Sequence, residues 1–352
     1  MTEKRSGVAI LGGSGYGGGE LLRLLAHHPS IEACAVVSRS YADQPVASVH
    51  SHLQGMSHLT FTDSLSPQWY AGYESAAVIC SMPPGQAAAA IQNAQAQGLP
   101  DSIKIIDLSG DFRLKDQRDH TTYYPEVPLA PEIRNSCVYA LPEVVGHSKI
   151  AKARYLTNPG CLSTTAIIGL APLRDVPLSG AVVVDAKTGT SGAGREPQPS
   201  MHHPARATDF TAYKVLEHRH EPEILQALGD GFNGRDSFMF VPHLLPISRG
   251  IEASCYFTCA DSTTAAQLPE RYSEFYRASP FVRFRSRPPR LVDVVGTNFC
   301  DIQVVVRGAQ VVVLVATDNL GKGMAGQCVQ NLNIAFGLPQ ETGLLVPALG
   351  PV

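Results

Sequence analysis

Cys161 stands in the segment Thr157-Asn158-Pro159-Gly160-Cys161-Leu162-Ser163-Thr164-Thr165, just ahead of the apolar stretch Ala166 to Leu173. That stretch reads as a buried helix, so the thiol is expected at a helix N-terminus. Backbone N–H groups without intrahelical partners gather there; they favour a thiolate, and the same donors stabilise an oxyanion on a carbonyl carbon under attack. The turn Asn158-Pro159-Gly160 helps project the side chain. A lone cysteine at a helix start fits core packing as well as catalysis. A nucleophilic thiol also needs a proton-transfer partner, and the densest candidates lie in Glu217-His218-Arg219-His220-Glu221-Pro222-Glu223, where two imidazoles flank a guanidinium ahead of a proline-started helix. Either His218 or His220 is the expected acid/base. No third and fourth ligand of suitable spacing accompanies them, so no metal is expected.

Two further segments suit an anionic substrate. Ser109-Gly110-Asp111-Phe112-Arg113 follows a predicted buried strand, and Lys187 to Arg195 carries Gly189, Gly192 and Gly194. Arg113 suits a bidentate pair with a carboxylate, while Ser191, Arg195 and loop N–H groups suit phosphate oxygens; each also fits a structural salt bridge or turn. Ser109, Arg113, Asn158, Gly194 and Arg195 are the candidate substrate contacts, and Ser191 and Gly192 are assigned to a cofactor.

That cofactor is suggested by Gly12-Gly13-Ser14-Gly15-Tyr16-Gly17-Gly18-Gly19, which follows a predicted strand and opens a predicted helix. Glycines let backbone approach a pyrophosphate, and N–H groups at the helix start favour its charge. Gly12, Gly13, Ser14, Gly15, Tyr16 and Gly17 are the expected contacts, against the plainer reading of a tight strand-to-helix turn. After the next strand, where NAD enzymes usually carry Asp or Glu for the ribose hydroxyls, stands Ser38-Arg39-Ser40. An arginine and two hydroxyls suit a 2′-phosphate, which a carboxylate would repel, so NADP(H) is the expected cofactor unless Arg39 is only a solvated loop residue.

The elements that must hold these groups follow from periodicity. Gly7 to Leu11, Ile31 to Val37, Ala76 to Cys80 and Ile103 to Leu108 read as buried strands, with helices at Glu20 to His27 and Gln86 to Gln97: a parallel, helix-covered sheet. From about Ala181 longer strand-like runs dominate, at Ala181 to Ala186, Ile251 to Phe257, Ile302 to Val306 and Val311 to Ala316, which predicts an α+β second domain. Lys322 to Phe336 reads as a helix returning to the first domain. At 352 residues the chain exceeds one ordinary domain. A formal net charge of -3, with no long Lys/Arg run, argues against nucleic acid and membrane as partners. The short charged lead before Gly12, and the lack of an apolar run near ~20 residues, predict an unexported, cytoplasmic protein. Among the eight cysteines, Cys34, Cys80, Cys255, Cys259, Cys300 and Cys328 sit among apolar neighbours and read as core thiols.

The blocks GGSGYGGGELLRLL, IIDLSGDFRL, YALPEV, NPGC, DAKTGTSGAGR, HRHEPEI, FVPHLLPISRGI, VGTNFCDI and DNLGKGMAGQCVQNLN, taken together, resemble the N-acetyl-gamma-glutamyl-phosphate reductase family over nearly the whole chain. The resemblance implies an α/β protein: an N-terminal Rossmann domain (1–160 with 318–352) and an α+β catalytic and oligomerisation domain (161–317) of the aspartate-semialdehyde and glyceraldehyde-phosphate dehydrogenase type. It implies a homodimer or homotetramer. It assigns the nucleophile to Cys161, the histidines of the family's motif to His218 and His220, and a place near the nicotinamide to Asn319. Ser81-Met82-Pro83-Pro84-Gly85 departs from the family's Leu-Pro-His-Gly type of loop, although Pro84 and Gly85 still suit backbone near the nicotinamide; Leu162 stands where an aromatic is common.

The implied reaction is NADPH-dependent reduction of a small acyl phosphate, N-acetyl-gamma-glutamyl phosphate, to the semialdehyde through a Cys161 thioester, in arginine biosynthesis. A second reading is the same chemistry on an acyl phosphate carried by an amino-group carrier protein. A third is a non-catalytic NADPH sensor, against which the joint presence of Cys161, His218 and His220 speaks.

Overall fold

The computed structural model of the protein describes residues 5–124, 131–229, 232, 235–348 and 350; the first four residues of the charged lead lie outside it. The chain divides into two units, residues 1–159 with 324–345, and residues 160–323 with 346–352.

The first unit is built on strands β1 (Ser6–Leu11), β2 (Ile31–Val37), β3 (Phe61–Thr62), β4 (Ala76–Cys80), β5 (Lys104–Asp107), β6 (Val138–Tyr139) and β7 (Tyr155–Thr157). They form one sheet in the order β3-β2-β1-β4-β5-β7-β6, with every pairing parallel. All five residues of β4 and the last five of β1 are buried, as expected of strands covered by helices on both faces. The chain order reverses between β1 and β4, and in such sheets ligands bind beyond the carboxyl ends of the strands at that point.

Residue spacing starts the first helix at Glu20, but the structure starts it at Tyr16 and ends it at Leu25. The glycines there are held by close packing. A Cβ on Gly17 would lie 2.2 Å from Cε of Met324, one on Gly18 2.4 Å from the Gly13 carbonyl, and one on Gly19 2.6 Å from Nδ1 of His50. Near the chain's end a π-turn at Gly321–Ala325 leads into the helix Gly326–Ala335, which belongs to the first unit and packs beside Tyr16–Leu25 and His147–Lys152. Among its buried amides, Asn331 donates from Nδ2 to the Ala140 carbonyl and to Asn158 Oδ1, each at 2.9 Å.

Cys34 corrects the core-thiol reading. It is only half-buried, with Sγ donating to the Val8 carbonyl at 3.3 Å. The other five thiols so read, and Cys137, are buried. Burial pushes Cys80, Cys137, Cys255 and Cys328 well above the usual thiol range, which keeps them protonated and unreactive.

The second unit holds β8 (Val182–Thr188), β9 (Thr211–Ala212), β10 (Phe238–Leu244), β11 (Ile251–Thr258), β12 (Val282–Phe284), β13 (Cys300–Arg307) and β14 (Gln310–Thr317), ordered β12-β13-β14-β11-β8-β10-β9 with mixed pairing. One face is covered by the helices Cys161–Leu170, Ser262–Ala266 and Leu268–Phe275. On the other, Met239, Tyr256 and Val305 are 39%, 41% and 45% exposed and lie in one row across the ladder, joined through Val183 and Val312. Among the described residues no helix is long and apolar enough to cross a membrane.

The Cys161–Leu170 helix is buried from Leu162 to Leu170, and its C-terminal turn is held from outside: Tyr276 Oη donates to the Ile168 carbonyl at 2.5 Å and Tyr272 Oη to that of Gly169 at 2.6 Å. Replacing Tyr276 by Phe should lower stability by about 1 kcal/mol, seen as a lower urea midpoint at unchanged m-value. An unchanged midpoint would mean that this hydroxyl does not hold the helix.

Candidate functional site

In the first unit the expected cofactor residues gather at the carboxyl ends of β1, β2 and β4. Gly12 has φ +76°, a backbone that L side chains rarely adopt, and a Cβ there would lie 2.4 Å from the Ser81 carbonyl oxygen. Gly13 packs on Val36. Gly15 is the N-cap of the Tyr16 helix; the nearest neighbour of a Cβ there is the Gly12 carbonyl oxygen at 3.7 Å, so room remains in front of that helix start. Ser38 Oγ donates to Ser14 Oγ at 2.9 Å, which ties the β2 end to the glycine loop, while Tyr16, Arg39 and Ser40 are exposed. Pro84 is exposed, and Gly85, at φ +90°, caps the helix Gln86–Ala96.

The segment after β5 is organised by two buried carboxylates. Asp107 accepts from Ser109 N and Oγ, Gly110 N, Phe112 N and Thr157 Oγ1. Burial, reinforced by the Asp111 carboxylate, raises its pKa above the usual range. Asp111 accepts from Gly85 N and Ala88 N and so fixes the Pro84–Gly85 turn. Arg113 is buried and donates from Nε to the Asn158 carbonyl and from Nη2 to the Leu108 carbonyl. Asn158 Nδ2 donates to the Met324 carbonyl at 3.0 Å. Ser109, Arg113 and Asn158, expected at a substrate, are thus all engaged in the turns that end β5 and β7.

In the second unit Cys161 is the first residue of its helix, with Gly160 as N-cap, and is partly exposed. His220 packs directly on this turn: a Cβ on Gly160 would lie 2.2 Å from Nε2 of His220. A Cβ on Gly323 would come 2.8 Å from that of Cys161, so glycines flank the thiol on two sides. The imidazole of His218 stands 4.6 Å from that of His220, edge to face, and its Nδ1 accepts the His220 N–H at 3.1 Å. His218 also packs against Tyr213 and Phe240. Burial first, and then the Arg219 and Lys214 cations, push its pKa down to about 3.

Asn319 is buried, accepting from Gly250 N at 2.8 Å and donating to Ser191 Oγ at 2.8 Å. Gly192, Gly194 and Arg195 are exposed beside Ser191, with Gly194 at φ +87°. Among the described residues no cluster of three His, Cys, Asp or Glu groups is arranged to hold a metal.

Sequence reasoning passed over three residues here. Glu223, fully buried, accepts the Gly160 N–H on Oε2 at 2.9 Å. Asp318, also buried, pairs with Arg249 at 2.6 Å and accepts from Gly296 N. His50, buried under the glycine loop, donates from Nε2 to the Gly13 carbonyl at 2.8 Å. Glu223 and Asp318 lie within recognised blocks, but only the fold reveals their partners; His50 carries no local signal.

A histidine held neutral by burial costs stability in acid. With a folded pKa of about 3, His218 stays uncharged while the unfolded chain takes up its proton, so stability is intact above pH ~6.5 and falls by up to about 1.4 kcal/mol per pH unit down toward pH 3. His218→Asn should remove one proton's worth of that slope in urea titrations between about pH 6.5 and 4.5. An unaltered slope would show that His218 is not the buried neutral group.

Residues 7–153 match the family described as semialdehyde dehydrogenase, NAD binding domain, and residues 161–319 match semialdehyde dehydrogenase, dimerisation domain. The N-acetyl-gamma-glutamyl-phosphate reductase of Pelotomaculum thermopropionicum is 41% identical over 350 residues, covering 98% of this chain and 99% of the relative. That of Bacillus subtilis is 38% identical over 353 residues, with 98% and 99% covered. Among solved structures, aspartate semialdehyde dehydrogenase with NADP from Candida albicans has the same fold, at a TM-score of 0.66 and 14% identity over 95% of this chain and 98% of that one. Identity of this order over nearly the whole chain, with both domains matched, places the chain in the N-acetyl-gamma-glutamyl-phosphate reductase family of semialdehyde dehydrogenases.

Proposed function

We propose that the protein reduces N-acetyl-gamma-glutamyl phosphate to N-acetylglutamate 5-semialdehyde with NADPH and releases phosphate, as the names of its relatives indicate for them. The observation that carries the reading is Cys161 at the first position of a buried helix, with His220 packed on the preceding glycine. The reactive carbon needs a nucleophile and an oxyanion site in one place, and the first turn of that helix offers both.

Cys161 as thiolate attacks the acyl carbon, its S–C bond forms, and the bond to phosphate oxygen breaks. A thioester suits reduction because the thiolate is both a good nucleophile and a good leaving group. When bound, the nicotinamide supplies the hydride for this step. Collapse then returns the electron pair to sulfur and frees the aldehyde. We assign the proton transfers to His220 rather than His218: the latter is uncharged above about pH 3 and its Nδ1 holds the His220 backbone, a role of support.

The residues present fit the cofactor. The space before the Gly15 N-cap suits a pyrophosphate, and the β2 end offers Ser38, Arg39 and Ser40 with no carboxylate among them, which supports NADP(H) over NAD(H). Domain limits of 1–160 with 318–352, and 161–317, remain our assignment of the cofactor and catalytic parts. Ser109, Arg113, Asn158, Gly194 and Arg195 are proposed at the substrate, with the first three acting through the turns they hold. The exposed apolar row Met239, Tyr256 and Val305 supports docking of a second copy on the open sheet face, within the region matched to a dimerisation domain.

With N-acetylglutamate semialdehyde, phosphate and NADP, wild-type protein should form NADPH, and Cys161→Ser should lose at least ~10³-fold in kcat while still binding NADP. His220→Asn should lose about 10²-fold or more. An inactive wild type would redirect the reading to a carrier-linked acyl phosphate or a non-catalytic role; an active Cys161→Ser would remove the thioester. In the same assay Arg39→Ala should raise KM for NADP about tenfold and leave that for NAD nearly unchanged. Equal effects on the two cofactors would remove the 2′-phosphate contact.

A further inference from the structure

The helix that begins at Cys161 has an unusual cap. Its N-cap is Gly160, which has no side chain to receive an N–H, and its first turn carries no acidic residue. In a capping box a carboxylate at the third position of the same helix reaches back to the N-cap N–H. Here that position is Ser163, and the carboxylate comes from another helix: Glu223, in His220–Leu228, accepts the Gly160 N–H on Oε2 at 2.9 Å. Its other oxygen, Oε1, lies 3.9 Å from Nε2 of His220, the ring that occupies the space over Gly160. One fully buried carboxylate therefore touches the peptide that precedes the nucleophile and neighbours its proposed proton partner.

We infer that Glu223 is the positioning residue of this site: as hydrogen-bond acceptor it fixes the Gly160 peptide, and through it the direction of the Cys161 side chain and of the N–H groups behind it. The inference rests on Cys161 being the nucleophile. A small rotation of the Pro159–Gly160 peptide would shift the start of the helix and misalign the Cys161 side chain and the donors on which thiolate formation and oxyanion binding depend, so the loss falls on reactivity rather than on binding. A carboxylate at a helix start is itself favourable to the helix. The sequence places Glu223 three residues after His220, one turn along the same helix, so one segment delivers both groups.

The test separates acceptor geometry from simple packing. Glu223→Gln keeps an oxygen acceptor of the same shape, and Glu223→Ala removes it. With the full-length protein, iodoacetamide labelling at Cys161 is followed by peptide mass over about pH 6–9, beside kcat and KM for the phosphate-dependent reaction. In Glu223→Ala both labelling and kcat should fall about tenfold or more, with KM for the aldehyde within about twofold; Glu223→Gln should stay within about threefold of wild type. Labelling at the wild-type rate in folded Glu223→Ala, or a Gln variant as slow as Ala, would overturn the inference. If Glu223→Ala does not fold, the Gln variant decides alone: within about threefold supports the role, and a tenfold loss overturns it. Cys161→Ser, run alongside, confirms where the label goes. Its retained activity would sink the nucleophile reading, while a thiol slowed only in Glu223→Ala would still report the positioning.

Discussion

The chemistry proposed for the second unit depends on one physical constraint: the N–H groups in the first turn of a helix find no partner within that helix and gather at its start. Leu162 to Leu170 are buried, so the helix cannot tilt without disturbing the core beneath it. The first turn is left free of side-chain bulk by Gly160 and Gly323, which are small because His220 and Cys161 take the space. Dipole, donors and access are thereby concentrated on one partly exposed thiol. The buried thiols Cys80, Cys255 and Cys328 have their pKa raised chiefly by desolvation, and they stay protonated.

The proposed cofactor site of the first unit poses a different problem, which is to bring backbone close to an anion without strain elsewhere. Its glycines divide the task. Gly12 supplies a left-handed turn against the Ser81 carbonyl, Gly17, Gly18 and Gly19 allow the helix to pack on Met324, Gly13 and His50, and Gly15 leaves the helix start open. Only the last of these leaves space where the proposed pyrophosphate would lie. The turns after β4, β5 and β7 are then locked by Asp107 and Asp111, whose carboxylates take up N–H groups that would otherwise be unsatisfied in the interior.

Much of this was legible in the chain itself. Apolar runs marked β1 and β4 almost to the residue, because a strand covered on both faces has no polar side to blur its limits. The helix start at Cys161 followed from the apolar stretch behind it. The start at Tyr16 did not, since glycines have poor helix propensity and only their neighbours in space explain their place in the helix. Half-burial of Cys34 was equally hidden, because it depends on which residues cover the face of β2, whose middle is only partly buried.

What the sequence by itself determined is the kind of protein and the residue types available: a glycine-rich loop between strand and helix, a thiol at a helix start and two histidines in one motif, all set by local spacing and by motifs that span the chain. Tertiary structure decided how these groups are placed. It set His218 behind His220 in a buried, uncharged role, turned Arg113 and Asn158 toward backbone partners, and brought Glu223 to the Gly160 N–H from a different helix. Those outcomes depend on burial and on contacts between segments as far as 63 and 166 residues apart, quantities that no local pattern of residues encodes.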